Sequence, residues 1–220
     1  MNPLPSPSRF ARALLVVGAL FALVGCASAN LDDGANDPME GFNRGVLGFN
    51  QGVDRAVLKP VAQAYRWALP QFVRDSVRNI LDNLRAPVIL ANDLLQGEFE
   101  RAGATIGRFI VNTTVGLGGI NDVASDIGIQ QHSEDFGQTL AAWGVGEGPY
   151  LMLPLLGPSN PRDLTGFIVD IFLDPFGYVA SANDVRYASG ARTGVRAVDT
   201  RERNIETLDD LERTSLDFYA

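Results

Sequence analysis

Cysteine and histidine occur once each in the 220 residues. A single Cys excludes an internal disulfide and any cysteine-cluster metal site, and a single His excludes a histidine-rich one, so no metal is expected. Cations are also in short supply: 18 Lys and Arg stand against 26 Asp and Glu, a net charge of −8. A nucleic-acid binder needs a cationic surplus to neutralise phosphates, so no nucleic-acid partner is expected. No apolar run reaches the roughly 18 residues of an ordinary bilayer-spanning helix. Sustained strand alternation is missing too, apart from short extended pieces around 150–156. What is abundant is apolar side chain, 46% of residues, which rules out a disordered chain. The length suits one domain with a sizeable core.

The N-terminus reads as an export signal over residues 1–25. Arg9 and Arg12 form a basic start, and Ala13 to Val24 form an uncharged apolar stretch too short to span a bilayer. It ends in Leu23-Val24-Gly25-Cys26, which resembles the bacterial lipoprotein box. Small residues admit the backbone to a signal peptidase, and the Cys26 thiolate is the nucleophile able to accept a diacylglyceryl thioether. An ordinary secretory signal with an incidental Cys is the plainer alternative. With three acyl chains, palmitate-like, the anchor is permanent, whereas one chain holds only marginally. Ala27 rather than Asp after the cysteine favours sorting to the outer membrane. Residues 26–36 then form a short acylated tether.

From Asp37 the chain divides into helix-length pieces, and an all-α, mainly helical fold is expected over 37–220. Asp37-Pro38-Met39-Glu40 has the order of a capping box with Pro at the first helical position. Pro60, Pro70 and Pro87 punctuate further segments. Phe72, Val73, Val77, Ile80, Leu81 and Leu84 recur at helical spacing. Phe99, Ala102, Ile106, Phe109 and Ile110 do so again, with Arg101, Thr105, Arg108 and Asn112 opposite. Asn160-Pro161-Arg162-Asp163 opens another helix. Near the end, Ile205, Leu208, Leu211, Leu216 and Tyr219 trace one face of a long helix.

Glycine is placed unusually. Gly41, Gly45, Gly48 and Gly52 fall on one stripe of the first helix. Each costs about 1 kcal/mol relative to Ala, so this helix needs outside support, either tight packing of the small-residue face or lipid contact. On the lipid reading its Phe edge (Phe42, Phe49) faces acyl chains and its Asn edge (Asn43, Asn50) faces water or headgroups. A second cluster, Gly116 to Gly119, closes the helix before it, and Asn121 or Asp122 then caps the next. A third, Gly144, Gly146 and Gly148, separates Trp143 from the apolar Tyr150-Leu151-Met152-Leu153-Pro154-Leu155-Leu156. It reads as the turn of a Gly-rich hairpin, either a movable lid or a buried loop.

Catalytic patterns are missing. There is no Gly-x-Ser-x-Gly elbow, Walker loop or His-Glu-x-x-His, and Gly144-x-Gly146-x-Gly148 lacks the helix a dinucleotide fingerprint needs. His132 sits in a polar stretch that reads as solvated loop. Glu134, Asp135, Asp163, Asp170 and Asp174 read as caps or solvated faces. No enzyme is expected.

Several blocks resemble the MlaA (VacJ) lipoprotein family: Asp37-Pro38-Met39-Glu40-Gly41-Phe42-Asn43-Arg44, Gln96-Gly97-Glu98, Arg108 to Gly116, Gly118 to Ala124, Phe136 to Leu140, Trp143 to Tyr150, Leu153-Pro154 and Arg162-Asp163. They run in order through most of the chain. The resemblance implies a ring of helices in the inner leaflet of the outer membrane around an amphipathic channel. It implies phospholipid as the transported substrate, removed from the outer leaflet and passed to a soluble periplasmic carrier, with a trimeric porin alongside. Phe42, Asn43, Phe49 and Asn50 are then expected to line or support the channel. Trp143, Gly144, Gly146, Gly148, Tyr150, Leu151 and Leu153 are expected to form a hairpin or lid beside it. Beyond the covalent lipid on Cys26, no cofactor is implied. Members of that family usually run on past the position of Ala220. An envelope scaffold without transport activity is the alternative, and a lipid hydrolase a remoter one.

Overall fold

The computed structural model describes residues 37–185 and 187–219. The signal segment 1–25, Cys26 and the tether 26–36 lie outside the described residues. Helices dominate: α1 (Glu40–Val53), a π-helical stretch (Asp54–Leu58), α2 (Lys59–Ala68), α3 (Gln71–Gln96), α4 (Phe99–Thr114), α5 (Val123–Asp126), α6 (Phe136–Ala142), α7 (Pro161–Leu173), α8 (Pro175–Ala182), α9 (Tyr187–Arg203) and α10 (Ile205–Thr214). The described strands are β1 (Leu151–Leu153) and β2 (Gly157–Ser159), an antiparallel pair with Met152 opposite Pro158.

The central element is α3, about 39 Å long for its 26 residues. It ends at Gly97, whose φ of 78° is the left-handed conformation that glycine adopts without strain. The two-residue link to α4 turns the chain back, and α4 packs along α3. On other sides α3 meets α6, α7 and α9. Helix α9 packs on α2 and the π-helical stretch, which continues from α1; α1 packs on β1, and the hairpin leads into α7. The contacts therefore close into a circuit around the molecule. Where α6 crosses α7, a Cβ at Gly166 would collide with the backbone of Gly137. The two backbones touch there, so the crossing requires glycine.

Proline behaves differently from its sequence reading. Pro87 does not punctuate a segment: it lies inside α3. One missing hydrogen bond does not end a helix whose flanking turns are packed against four neighbours. Pro60 also lies within helix, immediately after the π-helical stretch, where the Lys59 N–H reaches back to the Asp54 carbonyl. The widened turn relieves the clash between the proline ring and the preceding turn. The capping box at 37–40 is incomplete. The Asp37 carboxylate accepts from the Met39 N–H (3.1 Å), but Glu40 turns to Arg44 (2.7 Å) instead of reaching back. At Asn160 the helix cap does form: Asn160 accepts from the Asp163 N–H (2.9 Å), and its side-chain amide donates to the Asp163 carboxylate (2.8 Å).

The single long terminal helix is replaced by two. Helix α9 gives way to α10 at Asn204, whose amide donates to the Thr200 carbonyl (2.8 Å) and competes with the backbone ladder. Leu216 and Tyr219 lie beyond α10, outside any helix.

Polar side chains share the interior with apolar ones such as Leu81, Ile89 and Leu140, while many large apolar side chains lie outside. The largest fully buried side chains are Asn43, Asn92, Thr139, Asp93 and Asp199, all polar. Trp67 (90% exposed), Tyr187 (76%), Phe99 (73%) and Phe72 (72%) are among the most exposed apolar ones. Helix α4 illustrates this: Thr105 and Asn112 are buried with Ala102, while Ile106, Phe109 and Ile110 are exposed. Soluble domains bury the apolar stripe and rarely expose so many large apolar groups. No single described helix is long and apolar enough to cross a membrane. The pair α7 and α8, bent by 43°, passes that test together.

Candidate functional site

Two asparagines on α1 build one wall of the site. Asn43 donates to the Tyr150 carbonyl (3.2 Å) and accepts from the Met152 N–H (2.9 Å), and it also donates to Asp37 (2.7 Å). Asn50 donates to the Leu153 carbonyl (3.0 Å) and accepts from the Leu155 N–H (2.8 Å). A side-chain amide carries one acceptor and donors, as a peptide does, so each asparagine serves β1 as a neighbouring strand would. The spacing matches. Seven helical residues rise about 10.5 Å on nearly one face, and three strand residues advance about 10 Å. The Asn edge of α1 therefore faces hairpin backbone, not water or headgroups.

Between α1, the hairpin, α9–α10 and the C-terminal segment lies a cavity of about 540 Å³. The hairpin wall is apolar: Met152, Leu155, Leu156 and Pro158. The wall from the π-helical stretch and α9–α10 carries Asp54, Arg55, Arg201 and Glu212. Arg201 binds Asp54 through two nitrogens (2.7 and 3.0 Å) and touches Asp209 (3.3 Å); Arg55 pairs with Glu212. These hydrogen bonds, those of Asp54 foremost, raise the Arg201 pKa above its already high ordinary value, so it stays charged.

The C-terminal segment straps this end. Phe218 and Tyr219 line the cavity, and Tyr219 meets Tyr150 edge-on at 6.0 Å. Its hydroxyl donates to Asp37, and Arg44 lies 4.4 Å from its ring centroid while gripping Asp217 with both terminal nitrogens. Desolvation, then the bond to Asp37, pushes the phenol up to about 12, so it remains a donor at neutral pH.

Of the residues expected at a channel, Asn50 lines the cavity and Asn43 holds its wall. Phe42 and Phe49 do not: consecutive helical positions diverge by about 100°, and both rings are half-exposed on the outside. The four glycines of α1 are not tightly packed, because a Cβ at any of them meets nothing within 4 Å. Of the hairpin residues, Tyr150 lines the cavity, and Leu151 and Leu153 form β1. The turn is Pro154-Leu155-Leu156, not the glycine cluster. Gly144 (φ 85°), Gly146 and Gly148 (φ 76°) lie in the link from α6 to β1. Trp143 caps α6, bound through Nε1 to the Leu95 carbonyl (3.1 Å). Sequence reading missed Asp54, Arg55, Arg201, Glu212 and Tyr219, which no local pattern links.

The motif residues away from the cavity form a buried polar scaffold. Arg108 grips Asp122 with two bonds of 2.8 Å, Asn112 donates to Asp122 (2.9 Å), and Asn112 accepts from the Ala124 N–H (2.9 Å). Burial alone would raise the Asp122 carboxyl, but hydrogen bonds from Ser125, Asn112 and Arg108 outweigh it and hold the group down to about 2. His132 is not solvated loop: its Nε2 lies 3.0 Å from the buried Asp93, which also accepts from Thr105 (2.7 Å). Glu134 is buried against Arg101 (2.7 Å) and Gln96 (3.1 Å), and Asp170 binds Asn92 (3.0 Å). Asp135 and Asp174 cap α6 and α8.

Comparison with known proteins agrees with the mainly helical fold. The MlaA lipoprotein family model matches residues 35–220. An Escherichia coli protein named intermembrane phospholipid transport system lipoprotein MlaA is 37% identical over 202 residues, covering 90% of this chain and 78% of that one. An uncharacterized Rickettsia typhi protein is 39% identical over 133 residues, 60% of this chain. That match and the one to Rickettsia prowazekii each span 53% of the relative's length, little more than half. A solved structure described as the structural basis for maintenance of bacterial outer membrane lipid asymmetry superposes with a TM-score of 0.73 at 35% identity, covering 83% of this chain and 91% of that one. With the family model spanning every described residue, this chain belongs to the MlaA lipoprotein family.

Proposed function

We propose that this chain moves phospholipid from the outer leaflet of the outer membrane through the 540 Å³ cavity to a soluble periplasmic carrier, with no chemical change to the lipid. The observation that carries the reading is the pairing of that cavity with an exterior that carries many large apolar side chains. One cavity wall is apolar and the other charged, as an amphiphile requires, while the outside bears apolar rings and the inside polar amides. The E. coli relative named for phospholipid transport supports it.

The exposed apolar residues of the bent pair α7–α8, among them Phe167, Ile171, Phe172 and Val179, suit shallow embedding in the periplasm-facing leaflet. A triacylated Cys26 would keep the protein there, beside a trimeric porin. Transfer across such a surface needs a path wet for the headgroup and apolar for the tails, and no covalent step. In a deletion strain, outer-leaflet phospholipid labelled from outside should rise, and return to the parental level when the gene is restored. Unchanged labelling would overturn the reading. Leu155→Asp with Leu156→Asp, on the apolar hairpin wall of the cavity, should impair transport while porin and carrier still co-purify. A pure scaffold would lose function only together with those partners.

A further inference from the structure

We propose that the charged end of the cavity, built by Asp54, Arg55, Arg201 and Glu212, is a headgroup site that selects zwitterionic over anionic phospholipid. This rests on the transport reading above and adds a specificity to it. All four groups lie on the wall where α1 runs into the π-helical stretch and faces α9 and α10, whereas the hairpin wall bears no charge. Headgroup and tails thus have separate places.

The four charges cancel, two carboxylates against two guanidiniums. A headgroup with net negative charge would leave one charge uncompensated beside Asp54 and Glu212, in a site partly shielded from water. A phosphate carrying its own ammonium can exchange partners instead, phosphate to guanidinium and ammonium to carboxylate, and neutrality is kept. Two features favour that exchange. The Arg201 side chain is only 6% exposed, and its Nη1 is buried without a hydrogen-bond partner, so Asp54 and Asp209 leave this cation incompletely satisfied. Arg55, whose side chain is 61% exposed, is free to swing from Glu212 to a lipid phosphate.

The test uses the acylated full chain in nanodiscs containing equal phosphatidylethanolamine and phosphatidylglycerol, with bound lipid read by native mass spectrometry. The expected result is about a fivefold enrichment of phosphatidylethanolamine, the ratio that a modest charge penalty produces. Glu212→Gln, which leaves the site net positive, should bring the ratio to about one or reverse it. Arg55→Gln, which leaves it net negative, should raise it further. Asp210→Asn, an equal charge change outside the cavity lining, should leave it unchanged. Equal ratios in all four proteins, or a shift with Asp210→Asn as large as that with Glu212→Gln, overturn the headgroup site while bound lipid leaves the transport reading standing. Folded proteins that carry no lipid of either kind overturn both.

Discussion

In the block formed by α3, α4, α6 and α7, buried amides and carboxylates bind one another from rigid helices: Thr139 donates to Asn92 (2.8 Å), Asn92 to Asp170 (3.0 Å), and Arg108 and Asn112 converge on Asp122. At the cavity, by contrast, Asn43 and Asn50 of α1 spend their amides on the backbone of a three-residue strand, and a short C-terminal strap closes the end. The first arrangement is closed on itself and leaves little space. The second holds a wall in place while leaving a cavity beside it. A fully satisfied network rigidifies what it joins, whereas a few amide clamps position a surface that stays open to a ligand.

Substitutions in the closed block and at the asparagine clamps separate the two kinds of support. Gly166→Leu, forced against the Gly137 backbone, should cost more than about 3 kcal/mol and prevent folding, read as loss of the cooperative thermal transition in detergent. Its tolerance would mean that the closed block is loose after all. At the clamps, Asn43→Ala leaves the buried Met152 N–H and the Tyr150 carbonyl unpaired and should cost about 2–3 kcal/mol. Asn50→Ala should cost about 1 kcal/mol, because water can replace it at the exposed Leu155. Amide exchange should accelerate more at Met152 in the first variant than at Leu155 in the second.

Asp122 probes the closed network through pH. Its carboxyl, ordinarily 3.8, is held at about 2 in the folded state, so its contribution is complete above about 4 and is lost as pH falls toward 2. The loss should amount to about 2 kcal/mol in urea denaturation across that window, and Asp122→Asn should flatten the dependence. On the open side of α1, Gly48→Ala should stabilise by about 0.5–1 kcal/mol, since the added methyl meets nothing and the helix gains propensity. Destabilisation would point instead to a partner pressed against the glycine stripe. Arg213→Ala, which removes an exposed pair with Asp210, should change stability by less than about 0.5 kcal/mol.

Local chemistry was legible wherever a residue acts on its own neighbours. Asn160 caps the helix that Pro161 begins, Asp122 caps α5, and Gly116 to Gly119 terminate α4 because Leu117, Gly118 and Gly119 take positive φ. The helical periods of α3 and α4 were equally plain, but not which face of α4 would be buried. Periodicity marks two faces and does not say which solvent lies outside: it puts Thr105 and Asn112 opposite the apolar stripe, and the structure buries them. His132 and Glu134 were misread for the same reason: their partners, Asp93 and Arg101, sit on other elements.

The order of residues makes this chain helical, sets where most of its helices begin and stop, and carries the blocks that resemble the family. Packing of the whole molecule decided which polar groups go inside and that the hairpin turns at Pro154 to Leu156. It also decided that a charged cavity wall forms where Arg201 meets Asp54 across 147 residues of chain. Caps and helix periods are set by atoms a few residues apart. A cavity wall is set by which helices pack together, and that is a property of the whole chain and of the solvent around it.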